Sequence, residues 1–153
     1  MKIELSKQVA LVTGGAKGIG RAIVEKLIDN GARTFLVDVD RAAAAEVVEE
    51  LKKQGKQCEA LIGDVSQAKD MEAAVHAIVS RCGRIDILVN NAGINTVRDR
   101  APIHEYSKED WDRILLIDLT GVFVTSRVVI PVMLENKKRS CCHQSLIPDV
   151  TIF

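Results

Sequence analysis

A chain of 153 residues is one domain's worth, large enough to bury about two-thirds of its unfolded surface. Its 21 basic residues balance 21 acidic ones, and 47% apolar with 27% charged is an ordinary composition for a water-soluble α/β protein. Lys137-Lys138-Arg139 is the only basic block, which argues against a nucleic-acid binder, and no apolar run reaches the ~18 residues of a membrane span.

The N-terminal Met1-Lys2-Ile3-Glu4 leads directly into a first strand with no signal peptide, so a cytoplasmic location is expected. Apolar runs at 8–13, 33–37, 57–62 and 86–90 read as short buried parallel strands rich in Val, Leu and Ile. Helical periodicities lie between them. Ile19, Ile23 and Leu27 share a face of the first helix, which stops at Asn30-Gly31. Ala44, Val47, Val48 and Leu51 mark the second. Met71, Ala74, Val75, Ile78 and Val79 mark the third, with Ser66 as its N-cap. A fourth helix begins at Ser107, whose spacing to Asp110 is a weak capping box, and runs to Asn136. Trp111, Leu115, Asp118, Val122, Thr125 and Val129 recur at helical steps and should line one face of it. Strand–helix alternation with such connections predicts a doubly wound parallel α/β sheet of order 3-2-1-4. Residues 94–106 form the single long loop.

The chemistry-bearing residues sit where these strands end. Thr13-Gly14-Gly15-Ala16-Lys17-Gly18-Ile19-Gly20 joins the first strand to the first helix. Glycines at 14, 18 and 20 remove side chains where a pyrophosphate must approach backbone N–H groups, and the following helix points its positive end at that anion. The spacing G-x-x-x-G-x-G differs from the G-x-G-x-x-G of other dinucleotide folds. Asp38 closes the second strand, where a carboxylate can accept hydrogen bonds from ribose hydroxyls and repel a 2′-phosphate. Arg is absent from positions 37–39, so NAD is favoured over NADP; Asp40 is the better placed residue to cap the next helix. Asp64-Val65 closes the third strand, with helix capping as the competing role for Asp64, and Asn90-Asn91-Ala92-Gly93 closes the fourth. Three scattered histidines and four cysteines, at 58, 82, 141 and 142, show neither metal spacing nor a disulfide framework.

These four motifs, in this order over residues 5–139, resemble the short-chain dehydrogenase/reductase family. The resemblance implies a Rossmann-type domain over 1–139 that moves a hydride between a nicotinamide and a small alcohol or carbonyl substrate. It implies cofactor contacts from Gly14, Gly18, Ile19, Gly20, Asp38, Asp64, Val65, Asn91, Ala92 and Gly93, with the Asp64 carboxylate facing adenine. Homo-oligomers through the 107–136 helix are also implied. The family's Asn-Leu-x-Gly, whose Asn joins a proton relay through a water, is here Asp118-Leu119-Thr120-Gly121. A carboxylate buried there without a partner would be costly. The family's catalytic Ser and Tyr-x-x-x-Lys have no counterpart, since the single tyrosine is Tyr106. Turnover by this chain is therefore not expected, and a silent nucleotide- or partner-binding module is the alternative. A Rossmann-like methyltransferase is disfavoured by its different glycine loop.

Residues 140–153 read as a non-family tail without strand alternation, interrupted by Pro148. Without later strands the fourth strand becomes a sheet edge. Genetic-code arithmetic offers an origin: if Lys137-Lys138-Arg139 is encoded by an adenine run followed by guanines, removing one adenine permits Lys-Lys-Gly-Val-Val-Val-Ile-Asn-Leu-Ser-Ser-Leu-Met. That is the family's fifth strand and serine motif, and a frameshift is the expectation. An unrelated natural tail is the alternative.

Overall fold

The structure, a computed structural model, describes residues 4–94, 103–135 and 140–143. Its centre is a parallel sheet built from β1 (Val9–Thr13), β2 (Arg33–Asp38), β3 (Cys58–Ile62), β4 (Ile87–Asn90) and β5 (Ser140–His143), in the order β3-β2-β1-β4-β5. All five residues of β1 are buried because the sheet is covered on both faces, which is why the strand is apolar throughout instead of alternating. Successive residues supply opposite faces. Leu11, Phe35, Val37 and Leu88 pack into one core with α3 (Ala68–Cys82), whereas Val12, Leu36 and Val89 pack into the other with α1 (Gly18–Asp29) and α2 (Arg41–Lys53). Phe35, Leu11, Leu36, Leu51 and Ile78 are wholly enclosed, each contributing about 1.5–3 kcal/mol from burial.

The helix ends follow local chemistry. The Asp40 carboxylate accepts from Ala43 N–H at 3.0 Å and caps α2. Ser107 Oγ accepts from Asp110 N–H at 3.0 Å and caps α4 (Lys108–Leu115). Gly31 and Gly83, at φ +92° and +71°, let the chain leave α1 and α3. The cap of α3 differs from expectation: Gln67 holds that position, while Ser66 is drawn aside by donating both N–H and Oγ–H to Asp64 Oδ1 at 2.8 Å. At the opposite end of the sheet, buried Asp86 accepts from Val9 N–H at 2.9 Å and from the Arg84 guanidinium, fastening the start of β1 to that of β4.

Further expectations are revised. Residues 140–143 do not lie outside the sheet; they pair in parallel with β4, Ser140 opposite Ile87 and His143 opposite Asn90, so β4 is not an edge. Backbone N–H and C=O groups along an open edge recruit an extended segment with little regard to its side chains. The long helix is also not one regular face. A π turn, Leu116–Thr120, separates α4 from α5 (Gly121–Glu135). Its extra residue rotates the register, so Gly121, Thr125, Val129 and Met133 are the buried set of α5, while Trp111 is 44% exposed and Asp118 half-buried. Ile19, expected to pack with Ile23 and Leu27, is exposed as well. The helical stretch Lys108–Glu135 is 28 residues long and contains an 18-residue window of mean hydropathy 1.8, enough by length and composition to cross a membrane, although no uninterrupted apolar run in the sequence is that long. Its inner face is nevertheless part of the core against β4 and α3.

Candidate functional site

The carboxyl ends of β1, β2, β3 and β4 converge, and every sequence-selected residue lies on or beside them. Thr13 ends β1 and is buried; its Oγ accepts from the N–H groups of Asn91 and Ala92, both at 3.1 Å. In return Asn91 Nδ2 donates to the carbonyls of Thr13 and Gly14 at 3.1 and 3.0 Å. Thr13 and Asn91 thus lock the glycine loop to the segment after β4. Thr13 was not selected from sequence, although a lone hydroxyl closing an otherwise apolar strand is the signal that marks it.

That lock dictates the glycines. A Cβ on Gly14 would lie 2.8 Å from Ala92 Cα, and one on Gly20 would lie 2.0 Å from the Gly14 oxygen and 2.4 Å from Asn91 Nδ2. Gly14 and Gly18 also take φ of +63° and +52°, in the left-handed region. Gly15, not selected, is equally confined, its Cβ position lying 2.6 Å from Leu36 Cβ. Gly18 differs: nothing lies within 4 Å of a Cβ there, so it faces open space. α1 also differs from α2 and α4 at its start. Its N-cap, Lys17, makes no side-chain cap, whereas Asp40 and Ser107 cap theirs. Its leading N–H groups thus lack a side-chain acceptor, the arrangement that receives an anion.

Asp38 borders this loop. One carboxylate oxygen accepts from Ala16 N–H and the other from Asp40 N–H, both at 3.0 Å, and the side chain stays half-exposed. Each oxygen keeps a lone pair for an outside donor. Nearby, Lys17 Nζ donates to Asp40 Oδ2 at 2.6 Å. The Ala43 N–H and the Lys17 ammonium hold the Asp40 carboxyl below its ordinary range, while Asp40 raises the Lys17 ammonium.

Asp64 spends one oxygen on the Ser66 turn described above, so a local structural role is certain, and its half-buried side chain borders the end of β3. Val65 is buried and packs on Gly121, where a Cβ would come 2.6 Å from Val65 Cγ2; this contact sets the start of α5 against the β3–α3 loop. Asp118, from the π turn, accepts from Ile94 N–H at 2.9 Å and sits 3.2 Å from where a Gly93 Cβ would be. The costly buried and unpaired carboxylate foreseen from sequence is therefore absent, because the π turn directs Asp118 to the strand-end N–H. The 94–106 loop lies largely outside the described residues, as do Lys137, Lys138 and Arg139.

A sequence model described as short chain dehydrogenase matches residues 8–141. The chain belongs to the short-chain dehydrogenase/reductase family. An uncharacterized oxidoreductase of Bacillus subtilis, YxbG, is 39% identical over 132 residues, which is 86% of this chain and 48% of that protein. Among solved structures, a short-chain dehydrogenase/reductase from Burkholderia phymatum in complex with NAD superposes with a TM-score of 0.84 at 30% identity, over 92% of this chain and 50% of that one. A metagenomic short-chain oxidoreductase in complex with NADP gives 0.84 at 32%, over 97% and 66%. The chain spans about half the length of the curated relatives it matches. These two neighbours, which share the Rossmann-type fold seen here, are thus complexes with nicotinamide dinucleotides.

Proposed function

We propose that this chain is the NAD-binding half of a short-chain oxidoreductase, able to hold the dinucleotide but unable to turn it over alone. The observation that carries the reading is the pairing of an uncapped α1 N-terminus with Asp38. The first offers N–H groups and a positive dipole end to a pyrophosphate. The second, held by Ala16 N–H across the same loop, offers a carboxylate to ribose hydroxyls and repels a 2′-phosphate. Gly14, Gly18, Ile19 and Gly20 would line the phosphates, Asp64 and Val65 the adenine, and Asn91, Ala92 and Gly93 the far ribose.

The dinucleotide, when bound, supplies the hydride-transfer chemistry of the family, with small alcohols or carbonyl compounds as the substrate class. This chain's own residues bind and orient. They include no Tyr-x-x-x-Lys to move the substrate proton, so the silent-module reading applies to the chain as it stands. Residues 140–153 are a distinct tail in this proposal, although β5 shows that its first residues dock on the sheet.

Calorimetric titration with NAD and NADP tests the reading. NAD should bind the tighter, and Asp38→Ala should narrow the gap. Alcohol and ketone panels followed at the nicotinamide absorbance should stay at background. Tighter binding of NADP, or a gap indifferent to Asp38→Ala, would remove the assignment.

A further inference from the structure

Asp118 has a charge that nothing described in the molecule neutralises. Its carboxylate accepts from Ile94 N–H at 2.9 Å, and no lysine or arginine among the described residues pairs with it. It is half-exposed, beside Gly93, beyond the end of β4. The placement of the anion follows from the π turn Leu116–Thr120, the only such turn among the described residues and a distortion that α-helices commonly carry at functional positions.

Its position relative to a bound dinucleotide follows from topology. In an open parallel sheet such a ligand lies across the carboxyl ends of the strands at the point where their order reverses. With Asp38 on β2 holding one ribose and the β1–α1 loop holding the pyrophosphate, the other half must extend over β4. The nicotinamide half therefore ends on the side of the sheet that carries Gly93 and Asp118. Oxidised and reduced nicotinamide share nearly all their atoms, but the oxidised ring carries a positive charge and the reduced ring none. A fixed anion at that end binds the two unequally through Coulomb attraction alone.

We infer that Asp118 is a specificity-determining residue that makes this site favour the oxidised over the reduced dinucleotide. The inference rests on the dinucleotide reading above and adds to it the redox form that the site selects. A neutral amide of the same shape would keep the hydrogen bond to Ile94 N–H and lose the discrimination. A partly exposed carboxylate acting on one unit charge in this setting is worth on the order of tenfold in relative affinity.

The test is a set of equilibrium titrations of the full chain with NAD+, NADH and ADP-ribose, the last lacking the nicotinamide. Asp118→Asn and Asp118→Ser are measured beside the unsubstituted chain. NAD+ should bind more tightly than NADH, both neutral variants should bring the ratio down by about tenfold, and ADP-ribose affinity should stay unchanged. A purely structural role would weaken all three ligands together and leave the ratio untouched; that result overturns the inference and leaves the dinucleotide reading standing. Failure of ADP-ribose to bind the unsubstituted chain would remove the dinucleotide reading and the inference with it.

Discussion

Gly20→Ala should destabilise this fold far more than Gly18→Ala, although both glycines belong to one motif. A Cβ at position 20 would be 2.0 Å from the Gly14 carbonyl oxygen and 2.4 Å from Asn91 Nδ2. Neither neighbour is a flexible side-chain tip: one is backbone, and the other is anchored by hydrogen bonds to Thr13 O and Gly14 O at 3.1 and 3.0 Å. Relief of the overlap requires α1 to move from β1 or Asn91 to surrender both bonds. Two hydrogen bonds at about 1 kcal/mol each, with overpacking of about 1–3 kcal/mol, come to about 3–5 kcal/mol. At position 18 the added methyl meets nothing within 4 Å and pays only for a left-handed φ of +52°, about 1–2 kcal/mol. Urea unfolding followed by far-ultraviolet circular dichroism reads the difference as midpoint shifts. The two costs differ by about 1–4 kcal/mol, so with a slope of about 2 kcal/mol/M the Gly20 variant should lose about 0.5–2 M more than the Gly18 variant. Equal, small shifts would refute the lock between the glycine loop and Asn91.

Three other outcomes follow from the structure. Burial pushes the Cys58 thiol up to about 12, well above its ordinary value of 9.0. The folded-state value is the higher one, so the contribution to stability is complete below pH ~9 and is lost as pH rises toward ~12; Cys58→Ala should flatten that alkaline decline in urea midpoints. Trp111, Leu116, Leu119 and Phe123 are exposed along one continuous helical stretch, so sedimentation velocity should show concentration-dependent self-association that Phe123→Lys reduces, whereas an unchanged monomer at all concentrations would refute it. If residues 140–153 are frame-shifted, the coding DNA read one base over after Lys138 should encode the Ser-Ser strand and then a Tyr-x-x-x-Lys; a stop codon before that motif would show the tail to be of other origin.

The parallel core, and the placing of the candidate site residues at its strand ends, were legible because each leaves a local signature. Four apolar runs mark strands covered on both faces, and the glycines, Asp38 and Asn91 stand where those strands end, which is the one place an α/β sheet leaves backbone polar groups open to a ligand. The caps at Asp40 and Ser107 were equally readable, being contacts between residues three apart. What the sequence could not specify depends on contacts between distant segments. Thr13 is a site residue only because β1 and β4 are neighbours, bringing positions 13 and 91 within 3.1 Å. Ser140–His143 has no strand pattern of its own and becomes a strand because β4 presents an unpaired edge. Asp118 read by helical periodicity is a charge among core residues, yet a single π turn rotates it to Ile94 N–H and leaves Trp111 outside. Periodicity assumes a regular helix, and whether the helix admits an extra residue is decided by what packs against it: Gly121 on Val65 below the turn and Asp118 on the end of β4 within it.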